Sequence, residues 1–302
     1  MRCWFQVALP GEAVVYLRAA ADEALAEAAR LERTLSRFEP TSEVSRINAG
    51  GSDYPVLVDH ETFALLRHVR ALALATDGAF DPTIGPVVDL WRAATPDAPP
   101  SAEAIAQALA RVGVDRLVCD AQEPRVGFAR PGMNLDLGGV GKGYAVGCIG
   151  RMLRDLEVTS ALIDAGTSSA LALGAPPGQA GWRVALADPR AVGAGDPEPE
   201  PHAFLGEVLL RDTALSVSGV RGGDRGGWAH VLDPRTGAPT QGVWQAVVVD
   251  PSPVVAEVLS TALLVAGERL LERLGERFPS AAALLLAGPE GRVLKTANWP
   301  GP

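Results

Sequence analysis

The sequence predicts an α+β fold in which antiparallel sheets pack against helices. Amphipathic helical segments dominate the first half of the chain, whereas strand-like segments follow one another in the second half. Strands that occur in runs, rather than in strict alternation with helices, are typical of antiparallel sheets. We therefore expect a single domain over residues 1–302, with a helix-rich part over about 1–157 and a strand-rich part over about 158–302.

The first half opens with a strand and continues with four helices. Alternating apolar residues predict the strand over residues 3–9, and Pro10 with Gly11 ends it. Apolar residues at helical spacing predict helices over about 21–35, 59–78, 101–113 and 143–156. Short strands are predicted at 117–119, 126–128 and 133–137, and the last of these leads into a glycine-rich loop.

The second half contains six predicted strands, one long helix and a closing hairpin. The strands are expected at 161–164, 170–173, 182–187, 206–210, 228–232 and 244–249. The helix is expected over about 254–273, and the hairpin pairs 282–286 with 292–295. Residues 188–202, rich in proline, glycine and acidic side chains, predict a solvated loop.

Composition excludes several classes of function. The net charge of −9 and the lack of a basic stripe argue against nucleic acid as a partner. No apolar run reaches the roughly 18 residues of a membrane span. The three cysteines suit neither a disulfide framework nor a zinc site. The N-terminus lacks the charged and apolar regions of a signal peptide, so a cytoplasmic location is expected for the chain as printed.

The densest signal is the glycine-rich segment at 136–145, which includes Lys142, one of only two lysines in the chain. The spacing does not match a Walker A loop, since Asp136 stands where the first glycine belongs and Gly143 follows the lysine. It does not match G-x-G-x-x-G either, because the third position is Tyr144. Two interpretations stay open: a glycine-rich turn between strand and helix, or a phosphate cradle of another kind with Lys142 as its charge.

Three further segments have a structural interpretation, and two of them also have a functional one. Residues 76–83 form a helix stop and turn. His230 precedes a type I turn, where it is structural or, with Arg235 five residues on, part of an anion site. Glu257, Ser260 and Thr261 share one helical face, which is either a polar first turn or a binding site for a hard cation such as Mg²⁺.

Together these segments resemble one family, the FAD:protein FMN transferases or ApbE-like proteins. The resemblance spans about residues 1–294, in six blocks that occur in the family's order. The blocks are Ser36–Asn48, Thr76–Trp91, Asp136–Val146, Leu162–Gly166, Ser218–Gly237 and Ala256–Thr261.

The resemblance implies a T-fold-related architecture with FAD in a cleft between two parts of the chain. It implies Mg²⁺-dependent transfer of FMN from FAD to a Ser or Thr hydroxyl of a target flavoprotein, with release of AMP. Two alternatives remain open: a paralogue that binds FAD without transferring FMN, and an FAD pyrophosphatase that produces FMN and AMP.

Site residues are carried over by motif. His230 would be the catalytic base. The FAD-contacting positions would be Met1, Phe38, Ala79, Phe80, Asp81, Asp136, Lys142 and Val231. The metal positions would be Gly139, Glu257, Ser260 and Thr261, with the backbone carbonyl of Ala165 as a further candidate.

The chain departs from the family pattern at four places. Glu257 and Gly147 stand where the family usually has Asp, Phe38 replaces a tyrosine, and Thr167-Ser168 replace a common Gly-Asp pair. Most members of the family act outside the cytoplasm. If the printed chain lacks a native leader, the resemblance implies a periplasmic or membrane-anchored location instead.

Overall fold

A computed structural model describes residues 3–95, 97–120, 122–166, 168–190, 204–219 and 231–301. Its helices are α1 (Val14–Leu35), α2 (Glu43–Gly50), α3 (His60–Ala75), α4 (Gly85–Ala93), α5 (Ala102–Leu109), α6 (Gly141–Asp155), α7 (Pro253–Ala266), α8 (Glu268–Glu272) and α9 (Leu274–Arg277). Its strands are β1 (Phe5–Ala8), β2 (Val56–Leu57), β3 (Leu117–Cys119), β4 (Arg125–Phe128), β5 (Ala161–Ala165), β6 (Ser169–Leu173), β7 (Trp182–Ala187), β8 (Phe204–Leu210), β9 (Ala214–Gly219), β10 (Val243–Asp250), β11 (Ala282–Ala287) and β12 (Arg292–Lys295).

The architecture is built on a seven-stranded sheet with the order β1-β5-β6-β9-β10-β11-β12. A three-stranded sheet, β2-β4-β3, and a two-stranded hairpin, β7-β8, complete the strands of the described residues. Every pairing between named strands is antiparallel. The predicted α+β class with antiparallel sheets is confirmed.

The large sheet is covered on both faces. Helices α1, α6 and α7 pack on one face, where α7 lies over β9 and β10. On the other face, the β7-β8 hairpin buries Leu186, Val208 and Leu210 against Leu215 and Val247 of the sheet. The strands of the sheet are therefore largely apolar, as in β11, whose six residues are all buried.

Helix α7 packs against both the helix-rich and the strand-rich parts of the chain. Its N-terminus is fixed by Pro253 in the first turn and by the Ser252 side chain, which accepts a hydrogen bond from the Val255 amide. Its buried residues pack in one cluster with α2, α3 and the 133–140 segment. This position places the polar side chains of α7 directly beside the glycine-rich loop.

Two sequence predictions of local structure were wrong. The helix expected over 254–273 ends at Ala266, because Gly267 adopts a φ of +61° that continues no α-helix, and two short helices follow. The strand expected at 133–137 is an irregular segment instead. Its Leu135 backbone pairs with the Asn48 side chain, which accepts from the amide at 2.7 Å and donates to the carbonyl at 3.0 Å.

Other predictions were incomplete. Helices α2 and α4 and the central strand β9 were not expected. Of the strand expected at 228–232, residues 228–230 lie outside the described residues, and Leu232 forms an isolated bridge with Pro239. Among the described residues, no helix has both the length and the apolar character needed to cross a bilayer.

Candidate functional site

The glycine-rich loop is anchored through Asp136. One carboxylate oxygen of Asp136 accepts a hydrogen bond from the Gly138 amide at 2.7 Å, and the other accepts one from Arg37 at 2.8 Å. This Asx-type turn shapes the chain directly before α6, whose first residue is Gly141. The loop therefore meets the N-terminal end of a 15-residue helix, where the helix dipole favours an anion.

Arg37 connects this loop to α4. Its side chain is 8% exposed, and its guanidinium forms ion pairs with Asp89 at 2.7 Å and with Asp136 at 2.8 Å. Arg37 lies in the first motif block, but no role was predicted for it. Its Nη2 donates to both oxygens of Asp89 and its Nη1 donates to Asp136, so Arg37 holds two carboxylates in place and acts as a positioning residue.

Phe38 lies beside Arg37 on the surface. It is 61% exposed, with the Arg92 guanidinium 4.5 Å and the Arg37 guanidinium 5.5 Å from the ring centroid. An exposed ring flanked by cations can stack on a planar ligand.

The turn at 76–83 packs against the glycine-rich loop. Ala79 and Phe80 are buried, and a Cβ added at Gly139 would lie 3.1 Å from the Phe80 ring. The carboxylate of Asp81 accepts hydrogen bonds from the Thr83 amide at 2.7 Å, the Thr83 hydroxyl at 2.6 Å and the Val114 amide at 2.9 Å. These bonds hold the turn in place, and burial raises the pKa of Asp81 in spite of them.

The buried Glu257 and the half-buried Lys142 form an ion pair in the site. The Glu257 side chain is 3% exposed, and its Oε1 lies 2.8 Å from Lys142 Nζ. Its Oε2 accepts a hydrogen bond from the Gly143 amide. Burial lowers the pKa of Lys142, but the charge of Glu257 and the hydrogen bond outweigh that effect, so the pKa is raised above 10.5. Lys142 is therefore charged when it meets Glu257.

Four hydroxyls from α7 and β9 lie next to this pair. Ser260 Oγ lies 2.8 Å from Ser218 Oγ and 3.0 Å from Ser216 Oγ, and Ser218 Oγ lies 3.4 Å from Thr261 Oγ1. A Cβ at Gly139 would lie 3.4 Å from Thr261 Oγ1, so only glycine lets this loop approach the threonine so closely without displacing the Phe80 ring. The structure thus brings Gly139, Glu257, Ser260 and Thr261 together.

The donor set fits a hard divalent cation. It consists of one carboxylate and several hydroxyl groups, and oxygen atoms are the ligands that Mg²⁺ prefers. Each Glu257 oxygen retains a lone pair beside its bond to Lys142 or Gly143. In the described part of the chain, no three His, Cys, Asp or Glu side chains cluster as a metal site. A magnesium site with a single carboxylate does not require such a cluster.

Ala165, the other candidate metal position, lies in a different part of the sheet. Ala165 pairs with Ser169, which in turn pairs with Ser216, so the row crosses three neighbouring strands. Two strand spacings, about 10 Å, therefore separate Ala165 from Ser216. Its role as a metal ligand stays a prediction.

Two predicted residues, Met1 and His230, lie outside the described residues. Val231, which follows His230, is half-buried, and its carbonyl accepts a hydrogen bond from the Thr240 amide at 3.0 Å. The turn after it approaches the 76–83 turn, because a Cβ at Gly78 would lie 3.7 Å from Arg235 Cγ. The block that contains His230 therefore adjoins the block that contains Phe80.

The sequence did not predict roles for Arg37, Ser216 and Ser218. For the two serines, the available signal was the alternation of Ser216 and Ser218 in an otherwise apolar strand, which places both on the same face.

Comparison with known proteins matches the chain to one family. The sequence model of the ApbE family matches residues 1–285. The FAD:protein FMN transferase of Treponema pallidum is 31% identical over 301 residues, which cover 93% of this chain and 80% of the relative. The enzyme of the same name from Haemophilus influenzae is 27% identical over 87% of this chain and 77% of the relative.

Solved structures of similar proteins belong to the same family. The ApbE protein of Thermotoga maritima superposes with a TM-score of 0.83 at 26% identity, covering 98% of this chain and 97% of that one. The flavinyl transferase ApbE of Pseudomonas stutzeri, in its apo form, gives a TM-score of 0.78 at 28% identity, with 98% and 94% coverage.

Proposed function

The chain belongs to the ApbE family, and on that premise we propose that it transfers FMN from FAD to a Ser or Thr hydroxyl of a target flavoprotein, in a Mg²⁺-dependent reaction that releases AMP. Its curated relatives carry the name FAD:protein FMN transferase, and it is an enzyme of that kind. The identity of the acceptor hydroxyl, the Mg²⁺ dependence and the release of AMP each need a test of their own.

The observation that carries the proposal is the convergence of three motif blocks. Phe80 from the second block, Gly139 and Lys142 from the third, and Glu257 and Thr261 from the last meet in one site, although 181 positions separate the first from the last of them. The site combines a helix N-terminus, a lysine and a set of oxygen ligands. Such a combination suits a pyrophosphate with a bound cation.

The reaction is a displacement at phosphorus. The acceptor oxygen forms a bond to the phosphorus of the FMN half, the bond from that phosphorus to the AMP oxygen breaks, and the hydroxyl proton passes to a base. A bound Mg²⁺ would supply neutralisation of the pyrophosphate charge. The residues that would hold it are Glu257 and the neighbouring hydroxyls, with the carbonyl groups of Gly139 and Ala165 as further candidates.

The residues of the chain contribute positioning and charge. The N-terminal end of α6 would attract phosphate oxygens through its helix dipole. The amides of Gly138, Gly141 and Gly143 already donate to Asp136, Leu137 and Glu257, so they shape the loop. Lys142 adds a positive charge beside them, and its bond to Glu257 fixes its position. Arg37 holds Asp136, which sets the shape of the loop.

His230 is the residue we expect to accept the proton. A neutral imidazole has a suitable pKa for this role near pH 7. The residues after it are held by the Asp233-Pro234 turn, in which Asp233 pairs with Arg235 at 2.8 Å.

The experiment that tests the proposal weighs an acceptor. The protein is incubated with FAD, Mg²⁺ and an acceptor domain, with the Treponema pallidum relative as a positive control and an acceptor lacking its target hydroxyl as a negative control. A mass gain equal to FMN is the expected result. AMP without a mass gain would identify a pyrophosphatase, and bound FAD that stays intact would identify a binding protein.

A further inference from the structure

The hydroxyl of Ser260 has no hydrogen-bonding capacity left for a metal ion. Ser260 is fully buried, and its hydroxyl donates to the Glu257 carbonyl at 3.0 Å. Two more hydroxyls approach its oxygen, Ser216 at 3.0 Å and Ser218 at 2.8 Å. A serine hydroxyl has one proton and two lone pairs. Because its proton goes to the Glu257 carbonyl, both serines of β9 must donate to Ser260, and both lone pairs are occupied.

The hydroxyl of Ser218, in contrast, keeps hydrogen-bonding capacity that a metal ion can use. Its proton goes to Ser260, so the Thr261 hydroxyl donates to it, and one of its two lone pairs remains available. Ser218 is half-buried, whereas Ser216 is 2% exposed. Its Oγ lies 3.4 Å from Thr261 Oγ1, and Thr261 is the hydroxyl that faces the Gly139 loop.

We propose that Ser218, rather than Ser260, binds the divalent cation together with Thr261 and Glu257, and that Ser260 is a positioning residue that orients the Ser218 hydroxyl. The inference rests on the proposed Mg²⁺ dependence and names the ligands of that same site. Neighbouring oxygens around an octahedral Mg²⁺ lie about 3 Å apart. The Ser218–Thr261 separation of 3.4 Å therefore requires only a small shift on binding.

The two serines of β9 provide a matched pair of variants. Ser216 and Ser218 lie two residues apart on one face of the strand, and both contact Ser260. Ser218→Ala removes a proposed ligand, whereas Ser216→Ala removes a buried hydroxyl with the same contact to Ser260. Ser260→Ala removes only the positioning residue.

The first test measures the affinity of the full chain for Mn²⁺, with and without FAD, from the paramagnetic resonance signal of free Mn²⁺. We expect Ser218→Ala to weaken Mn²⁺ binding by about tenfold or more, a larger loss than in Ser260→Ala, with Ser216→Ala within about twofold of wild type. Wild-type affinity in Ser218→Ala together with a large loss in Ser260→Ala would overturn the assignment. If the wild-type chain binds no Mn²⁺ in either condition, the Mg²⁺ dependence in the proposed function fails as well.

A second test shows whether the contact is direct. In Ser218→Cys, a thiolate ligand should give a near-ultraviolet thiolate-to-metal absorption band when Co²⁺ is added, because thiolates bind such ions strongly. Ser216→Cys and the wild-type chain, which contains Cys3 near the site, are the controls and should give no band. A folded Ser218→Cys variant without the band would overturn direct coordination and leave FMN transfer by the wild-type enzyme untouched.

Discussion

The Lys142–Glu257 ion pair occupies the position where the family resemblance places a metal-binding aspartate. Glutamate is one methylene longer, and here its two oxygens reach both Lys142 and the Gly143 amide. Metal binding must therefore share this carboxylate with a lysine. The departure from the family residue changes the electrostatic surroundings of the metal site and not only its size.

Glu257→Asp should restore or improve the use of Mg²⁺. The shorter side chain reaches Lys142 less well, which frees the carboxylate for the cation and the lysine for phosphate. The measurement is the FMN transfer rate as a function of Mg²⁺ concentration in the variant and the wild type. Lower activity at every Mg²⁺ concentration would show that the pocket has adapted to the longer side chain.

Glu257→Ala should abolish Mg²⁺-dependent transfer and weaken FAD binding only when metal is present. The same change leaves Lys142 without its partner in a largely buried position, and losing one partner of a buried pair costs at most about 3–5 kcal/mol of stability. FAD affinity with and without Mg²⁺, measured by flavin fluorescence, separates the two effects. Equal FAD affinity of the wild type in both conditions would contradict a metal role.

The raised pKa of Lys142 predicts a loss of stability at alkaline pH. A lysine whose pKa is higher in the folded state than in the unfolded chain stabilises the fold below its unfolded pKa. That contribution is lost as the pH rises above 10.5 and through the folded pKa. The free energy of unfolding should therefore fall more steeply above pH 10.5 in wild type than in Lys142→Met. Lys295→Met, which removes the other lysine, is the control, and equal slopes in wild type and Lys142→Met would refute the prediction.

His230→Asn should slow FMN transfer by about 10²–10⁴-fold, because asparagine accepts no proton near neutral pH. It should change FAD affinity by less than about tenfold, because asparagine keeps a hydrogen-bonding edge. Wild-type transfer should fall as the pH drops through about 6–7, with loss of the neutral imidazole. His68→Asn, on the exposed side of α3, is the control. A near-wild-type rate in His230→Asn would exclude His230 as the base, and lost FAD binding would make it a binding residue.

At the scale of the elements, the contact between α6 and α7 requires glycine at one position of α6 and tolerates a side chain one turn later. A Cβ at Gly143 would lie 2.7 Å from Glu257 Oε2 and would also collide with the Pro253 carbonyl oxygen. A Cβ at Gly147 would meet nothing closer than the Pro253 side chain at 3.6 Å. The two glycines are therefore a matched pair, four residues apart on one helix.

Gly143→Ala should destabilise the fold by about 1–3 kcal/mol or more, because the added methyl forces α7 away from α6. Gly147→Ala should be neutral or stabilise it by up to about 1 kcal/mol, since alanine favours the helix. Urea unfolding measures both. A stable Gly143→Ala variant that also keeps wild-type metal binding would contradict the described contact.

The sequence predicted long periodic elements well and short or unusual ones poorly. The apolar spacing of α1, α3 and α6 was sufficient, because each helix buries one face over many turns. Strand β9 was missed since Ser216 and Ser218 make a central strand look like a loop, although those serines face the polar side of α7. The break at Gly267 was missed because the apolar pattern continues into α8 through Leu270.

At the scale of the whole molecule, the large sheet places the N-terminal strand beside a strand from the middle of the chain, a pairing that periodicity does not reveal. β1 pairs with β5, and the Gly166 amide donates to the Trp4 carbonyl at 3.0 Å. Burial raises the pKa of the Cys3 thiol, while the nearby charge of Lys142 lowers it. The N-terminal segment therefore approaches the Lys142–Glu257 pair.

The sequence suggested residues for the candidate site, whose roles stay predictions, but it did not suggest the contacts between them. The motif blocks identified Gly139, Lys142, Glu257 and Thr261, and the structure brings them together. The ion pair between Lys142 and Glu257 and the saturated hydroxyl of Ser260 depend on side-chain geometry between elements that lie far apart in the sequence. No local pattern carries that information.

The most direct test of the central claim is a time course that counts both products. AMP released and FMN covalently bound to an acceptor are measured in the same reaction, started with Mg²⁺ and stopped with a chelator. FMN transfer from FAD predicts one AMP for each flavinylated acceptor at every time point, and no AMP after chelation. AMP that accumulates while the acceptor stays unmodified, in a reaction where the Treponema pallidum enzyme modifies it, would contradict transfer and show that water is the acceptor.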